Sequence, residues 1–248
     1  MTELVHYAVT DAVATVTLDS PHNRNALSRQ LVTELFGHLQ AAAADDAVKV
    51  VLIASTGRVF CSGADLSEAT ADGMEEGAKR IVDLQRLIVS MDKPVVVRAY
   101  GAVRAGGIGI VAAADIAVAA ESATFALTEV KLGLAAAIIS LTVHHRMNPR
   151  AAALTTLGGE VFGGTDAAAY GLVTMAVPDD EIDSRVAEVC RSLATGAPQG
   201  LRESKRILNA DLLARIDARG GELAALSAHL FASDEAREAM TAFLSRKK

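Results

Sequence analysis

Cysteine is nearly absent from this chain. Cys61 and Cys190 are its two thiols, and they stand too far apart for a metal-ligand motif or a disulfide framework. Zinc and thiol chemistry therefore drop out of the expectations, and a reducing cytoplasm suits such a protein. Blocks of like charge are missing too. Its 30 acidic and 24 basic residues leave a net charge of −6 spread over the whole length, with no basic run to neutralise a row of phosphates. Nucleic acid is not an expected partner. No uninterrupted apolar stretch reaches the roughly 18 residues of a membrane span. Glu3, His6 and Asp11 come too early for the core of a signal peptide. There is no Pro/Ser-rich linker and no low-complexity tract beyond short alanine runs, so nothing marks a hinge between separate domains.

What remains is a chain of 248 residues, 51% hydrophobic and 22% charged, too apolar to stay disordered and long enough for one large core. It opens with alternating polar and apolar residues on both sides of Asp11-Ala12, the pattern of a strand, a turn and a second strand. Ser28 is placed to cap a helix whose Leu31, Val32, Leu35 and Leu39 recur at helical spacing. Residues 49–55 carry a continuous Val50-Val-Leu-Ile53 core, as in a strand covered on both faces, and lead into the loop 56–65. A second helix is expected over 75–91, with Ile81, Leu84, Leu87, Ile88 and Met91 on one face, ending before Pro94. Strand 95–99 leads into a second glycine-bearing loop, 100–107, and a small-residue helix over 108–114, followed by strands 115–120 and 124–127. These strand-strand-helix turns predict an α/β fold with helices outside the sheets. Beyond about residue 140 the signals turn helical: Asn148-Pro149 starts a helix, Gly158-Gly159 and Gly163-Gly164 are breaks, and Pro178 and Pro198 precede further helices. The expected organisation is an α/β core over 1–190 carrying a helical C-terminal subdomain over 191–248.

Chemistry is expected at the two strand-to-loop segments. Phe60-Cys-Ser-Gly-Ala-Asp65 and Ala105-Gly-Gly107 each put small residues where a main-chain N–H can approach a ligand unobstructed. The second also opens a helix, whose free N–H groups favour negative charge. Two such donors on one oxygen would form an oxyanion hole. For Glu129 two placements are open. Continued strand alternation sets it inward beside Phe125 and Leu127, where burial raises its pKa into the range of a general acid/base. If the strand ends earlier, the side chain swings to solvent or pairs with Lys131 or Arg104.

These residues carry a resemblance. Arg24-Asn-Ala-Leu27, Phe60 through Leu66, Lys93-Pro-Val-Val, Gly101 through Gly107 with Asp115-Ile-Ala-Val, Phe125 through Gly133, and Ala168 through Val173 with Val177-Pro178 follow one another as in the enoyl-CoA hydratase/isomerase family, the crotonases. The resemblance runs from the opening hairpin to the C-terminal helices. It implies a crotonase-like spiral of strand-strand-helix units and an acyl-CoA substrate, with coenzyme A belonging to the substrate and no separate cofactor or metal. It further implies a homotrimer or homohexamer. By the resemblance, Ser62 and Gly106 supply the N–H groups that hold the thioester oxygen, with Gly107 adjacent. Ser62, Gly63, Ala64, Asp65 and Leu66 lie along the coenzyme, and Arg24 and Ala26 stand near its phosphates and pantetheine. Phe243 and Arg246-Lys-Lys248 are candidates for a C-terminal acyl-CoA contact, or an ordinary solvated tail.

The two-carboxylate hydratases of that family have a glutamate just after the glycine pair, where this chain has Gly109; only Glu129 matches their second one. The segments around Gly109, Glu129 and Ile138-Ile-Ser140 are similar to a bacterial branch that includes 3-methylglutaconyl-CoA hydratase-like proteins, which also have glycine there. The resemblance thus implies hydration of a 2-enoyl-CoA with Glu129 as sole acid/base. Its rivals are double-bond isomerisation and acyl-CoA binding without turnover. Arg104, His144 and His145 are candidates to orient the water, or are surface and packing residues. Arg104 either draws an acidic acyl group to the pocket or faces water.

Overall fold

The computed structural model of the chain describes residues 2–68 and 71–245. Strands β1 (Val5–Thr10) and β2 (Val13–Leu18) form the opening hairpin. Asp11 and Ala12 both take positive φ, the geometry of a two-residue loop that follows the strands' twist. Helix α1 (Arg29–Ala44) begins at Ser28, whose side chain accepts from the Leu31 N–H, and it buries Leu31, Val32, Leu35 and Leu39.

Three strand pairs then climb the spiral. Each places its first strand in one sheet and its second in another. The pairs are β3 (Val50–Ser55) with β4 (Val59–Cys61), ahead of α2 (Ala71–Ser90); β5 (Val95–Ala99) with β6 (Ala102–Arg104), ahead of α3 (Gly106–Ala113); and β7 (Ile116–Ala120) with β8 (Thr124–Ala126). Helices α4 (Ser140–Arg146) and α5 (Pro149–Gly158) follow, then β9 (Phe162–Gly163), α6 (Gly164–Ala169) and β10 (Met175–Val177). The chain closes with α7 (Ile182–Ala194), α8 (Pro198–Leu208), α9 (Ala210–Phe231) and α10 (Asp234–Ser245). The larger sheet runs β1-β2-β3-β5-β7-β10, parallel after the hairpin, and the smaller runs β4-β6-β8-β9. Val95, Val96 and Val97 are completely buried, as expected where helices cover both faces of a parallel sheet. This is the α/β spiral of strand-strand-helix units.

Two loops are corrected by this architecture. The stretches expected as loops over 56–65 and 100–107 each contain a three-residue strand, β4 and β6. Helix α2 also starts at Ala71, ahead of the expected residue 75. Among the described residues no helix is long and apolar enough to cross a membrane.

A buried polar knot fastens the C-terminal helices to the sheet. Lys205 of α8, 5% exposed, reaches Asp115 Oδ2 at 2.8 Å and donates to the carbonyls of Ile88 and Lys93. Asn209 donates to Asp115 Oδ1, and Arg146 donates to Asn209 Oδ1 and the Ala112 and Ala114 carbonyls. Burial lowers the Lys205 pKa, against the pull of Asp115. Removing one partner of such a pair strands the other in low dielectric. Lys205→Met is therefore expected to cost about 3–5 kcal/mol in urea-denaturation stability; a loss under about 0.5 kcal/mol, the ordinary scatter of surface changes, contradicts this role for the knot.

Candidate functional site

The site grows from one sheet edge. Strands β4, β6 and β8 run parallel side by side, with Cys61 opposite Val103 and Arg104 opposite Ala126. The segments leaving their carboxyl ends, 62–65, 105–107 and 127–129, therefore emerge as neighbours, where ligands collect on parallel sheets. Side-chain-free positions let them touch. Gly63 has φ +93°, and a Cβ there would lie 2.9 Å from Ala105 Cβ. A Cβ on Gly106 would lie 2.6 Å from Leu27 Cδ1.

Main-chain donors in the first loop are settled by partners from elsewhere. The N–H of Ser62 donates to the Arg24 carbonyl at 3.2 Å, and its hydroxyl donates to the Asn23 carbonyl. The Gly63 N–H goes to Cys61 Sγ at 3.4 Å, on a thiol that burial pushes up to about 12. Leu27 donates to the Gly63 carbonyl and bridges in parallel to Ala64. The Ala64 N–H is then the first in the loop without a partner among the described residues. Gly106 N–H, at the first position of α3, has no intrahelical acceptor. Ala64 and Gly106 both line one cavity, and Ser62 does not. The N–H of Ser62, expected as the second donor, is thus engaged within the chain, while that of Ala64 is open toward the cavity. Gly107, expected beside the donors, is packed differently. It faces Cys61, 2.6 Å from the position its own Cβ would take, and stays outside the cavity.

The segment from Asn23 to Ser28 works as a clamp. Arg24 and Asn25 both take left-handed conformations. Buried Asn25 accepts from Ser20 N–H and donates to the Val59 carbonyl, tying β2 to β4. Asn23 donates to Asp65 Oδ2 at 2.9 Å. Arg24 is exposed beside the loop, Ala26 is buried beneath it, Leu66 is on the surface and Asp65 lines the cavity. Sequence reasoning missed Asn25, although it stands within the Arg24–Leu27 motif.

Strand β8 ends at Ala126, before Glu129, which sits in a 3-10 turn over Thr128–Leu132. The side chain nevertheless stays inside. Glu129 lines the cavity, its Oε2 is buried without a hydrogen-bond partner, and burial pushes its carboxyl up to about 7. Neither cation named for it is available: Lys131 is bound to Glu160 at 2.8 Å, and Arg104 donates to the Thr124 carbonyl and hydroxyl and to the Val103 carbonyl. Arg104 does not line the cavity, and neither do His144, which lies 3.3 Å from the Thr156 hydroxyl, and His145. At Gly109 a side chain would require Ile139 to shift, because its Cβ would meet Ile139 Cγ2 at 2.6 Å and Gln85 Oε1 at 3.4 Å.

The rest of the cavity comes from α2 (Ala78, Ile81), the Ala135–Ile139 segment, and Ser227 and Phe231 of α9. Neither α9 residue was among the candidates. The available signal was a serine on the apolar stripe Ile216, Gly220, Leu223, Ala224, Ser227. Phe243 falls in α10, with its side chain outside the description, and Arg246, Lys247 and Lys248 lie outside the described residues. Among the described residues no group of three His, Cys, Asp or Glu could hold a metal.

Known proteins share both sequence and fold with this chain. The family model described as enoyl-CoA hydratase/isomerase matches residues 8–248. A protein of Bacillus subtilis (strain 168) named as a probable enoyl-CoA hydratase is 30% identical over 250 residues, covering 98% of this chain and 96% of that one. The crystal structure of an enoyl-CoA hydratase from Mycobacterium avium matches with 46% identity and a TM-score of 0.92, over 99% of this chain and 98% of that one. Another, from Mycobacterium avium subsp. paratuberculosis K-10, matches with 30% identity and a TM-score of 0.87, over 98% and 96%.

The burial of Glu129 has a thermodynamic signature. Its folded pKa lies above the ordinary carboxyl value, so the native state holds this proton more tightly than the unfolded chain, and stability falls as pH rises toward and through about 7. Glu129→Gln removes that loss. The variant is expected to equal the wild type near pH 4 and to exceed it by up to about 3 kcal/mol near pH 8 in urea unfolding. Equal stability at both pH values contradicts the burial.

Proposed function

The chain belongs to the enoyl-CoA hydratase/isomerase family, and from that premise we propose that it adds water across the double bond of a 2-enoyl thioester of coenzyme A. One juxtaposition supports this reading: the Glu129 carboxyl, whose Oε2 is buried without a hydrogen-bond partner, and two open main-chain N–H groups line the same cavity. In the proposed reaction the thioester oxygen rests between the N–H groups of Ala64 and Gly106. Water attacks C3 and gives one proton to the Glu129 carboxylate, while the π electrons move through C2 onto the thioester oxygen. Charge developing there strengthens both hydrogen bonds in the transition state relative to the ground state, and only that difference accelerates the step. Glu129 then returns a proton to C2. One carboxyl serves both transfers if H and OH add to the same face.

The walls formed by Ile81, Ala135–Ile139 and Phe231 suit an apolar acyl chain, and with Arg104 turned toward Thr124 the motive for a carboxylated branched substrate such as 3-methylglutaconyl-CoA is weakened. Exposed Arg24 and Arg29 flank the loop over 62–66 and suit the coenzyme's phosphates. The apolar surface of Val130, Leu154, Leu157 and Val161 would be covered in a homotrimer or homohexamer, with the helices from about residue 191 onward contributing to assembly. A reducing cytoplasm would keep both buried thiols free.

Isomerisation of a 3-enoyl-CoA is a second reading, favoured by the filled space at Gly109: moving a proton between carbons needs only one carboxyl. Supplying 2-enoyl-CoA and 3-enoyl-CoA separately decides between them. Loss of the conjugated thioester absorbance is expected with the first substrate; its appearance with the second and no loss with the first overturns hydration. Glu129→Gln is expected to lower kcat by about 10²–10⁴-fold while still binding acyl-CoA. Since the ionised carboxyl is the base, kcat/KM is expected to rise with pH through about 7 and then level. A pH-independent rate, or an unaffected variant, contradicts the role of Glu129.

A further inference from the structure

With Gly109 in place of a second carboxylate and Arg104, His144 and His145 directed elsewhere, the proposed hydration lacks a group to hold the attacking water. The polar side chains of the cavity are nearly all committed. Ser28 accepts from the Leu31 N–H, capping α1. Asp65 accepts from Asn23 and Ser67. Glu68 accepts from the Arg29 N–H, and Glu76 is bound to Arg80. Arg29 is exposed at the rim. Two remain that are both inward and free: Glu129, and Ser227 of α9, which is 7% exposed, lines the cavity and makes no side-chain hydrogen bond among the described residues.

A serine on the buried stripe of a helix would ordinarily bond back to a carbonyl of its own preceding turn, as Thr155 does to Ala151 in α5. Ser227 does not. Its hydroxyl instead opens onto the cavity near Phe231, with room for a water to meet it.

We infer that the Ser227 hydroxyl holds the attacking water for Glu129, taking the positioning role for which the chain has no second carboxylate. The water would be held at both its protons, one accepted by the Glu129 carboxylate and the other by Ser227 Oγ, leaving an oxygen lone pair for C3. The bond balance is unchanged. One water O–H bond breaks to Glu129, the C3–O bond forms, and the returned proton forms the C2–H bond. Ser227 neither gains nor loses a proton overall. This inference rests on the hydration reading, and it adds a specific division of labour: Ser227 is needed for water addition and not for proton transfer at C2.

That division can be measured. The acidic C2 hydrogen of a saturated acyl-CoA exchanges with solvent deuterium through the N–H pair and Glu129 alone, with no water addition. Ser227→Ala is expected to lower kcat for hydration of crotonyl-CoA by about 10- to 100-fold with KM nearly unchanged, while C2 exchange on butyryl-CoA, followed by mass spectrometry, stays within about twofold of wild type (a change of under about 0.5 kcal/mol). Ser227→Thr, which keeps the hydroxyl, is expected to recover much of the hydration rate. Equal hydration by Ser227→Ala and wild type overturns the inference and leaves the hydration reading standing. A parallel fall in hydration and exchange also overturns it, since that marks a structural role. A wild type that binds acyl-CoA and exchanges C2 hydrogen but hydrates no 2-enoyl thioester removes both.

Discussion

The site depends on how closely two loops can approach. The carboxyl ends of β4 and β6 are neighbours in a parallel sheet, and their following segments touch at Gly63 against Ala105 and at Gly106 against Leu27. One added methyl at either glycine would require neighbouring atoms to shift. The close contact allows N–H groups from separate turns to address one oxygen, and an oxyanion site demands donors within about 2.7–3.1 Å of that oxygen. The backbone meets a cost for this. Ala105 sits at φ 45°, ψ −119°, a conformation that residues with a Cβ seldom adopt and that persists only where surrounding structure enforces it. Here the enforcement comes from Ala105 N–H reaching the Ala126 carbonyl across the sheet, from α3 starting on the next residue, and from the clamp of Asn23 and Asn25 on the opposing loop.

Much of this was legible in the residues. The opening hairpin, the Ser28 cap, the continuously apolar strands and the Pro-started late helices each carry a local signal strong enough to survive folding. The helix start at Gly106 was legible for the same reason, whereas the placement of Glu129 was open, because the strand that would have turned it inward ends at Ala126. Other features had no local signal. Strands β4 and β6 are three residues each, too short for any alternation to register, and they are held by pairing with one another. Ser62 and Ala64 look equivalent in sequence. Only the arrival of the Arg24 carbonyl and the Cys61 sulfur, which use up the N–H groups of Ser62 and Gly63, leaves Ala64 open. Arg104 likewise could point either way until Thr124, its partner on the adjacent strand, came into view. Ser227 was hidden because one serine on an apolar helix face usually signals nothing.

Around Gly109 the fold has closed off one chemical option and tightened another. Ile139 occupies the space of a side chain, and behind it Gln85 and Thr142, both fully buried, satisfy each other at 2.7 Å while Gln85 also donates to the Ile81 and Ile138 carbonyls. That network is complete, so it offers nothing to a ligand, and it stiffens the Ala135–Ile139 wall on the cavity side. In the proposed reaction the proton transfers of the cavity would rest on Glu129. Burial sets its affinity for a proton close to neutrality, where a group can both accept and return one.

In the proposed reaction the Ala64 and Gly106 amides jointly polarise a thioester carbonyl. Infrared difference spectroscopy of bound acyl-CoA carrying carbon-13 at the thioester carbonyl reads this polarisation directly. A carbonyl stretch shifted to lower frequency than in water is expected, with the shift retained in Glu129→Gln, because the amides act independently of the carboxyl. A bound carbonyl that absorbs at or above its frequency in water would contradict it.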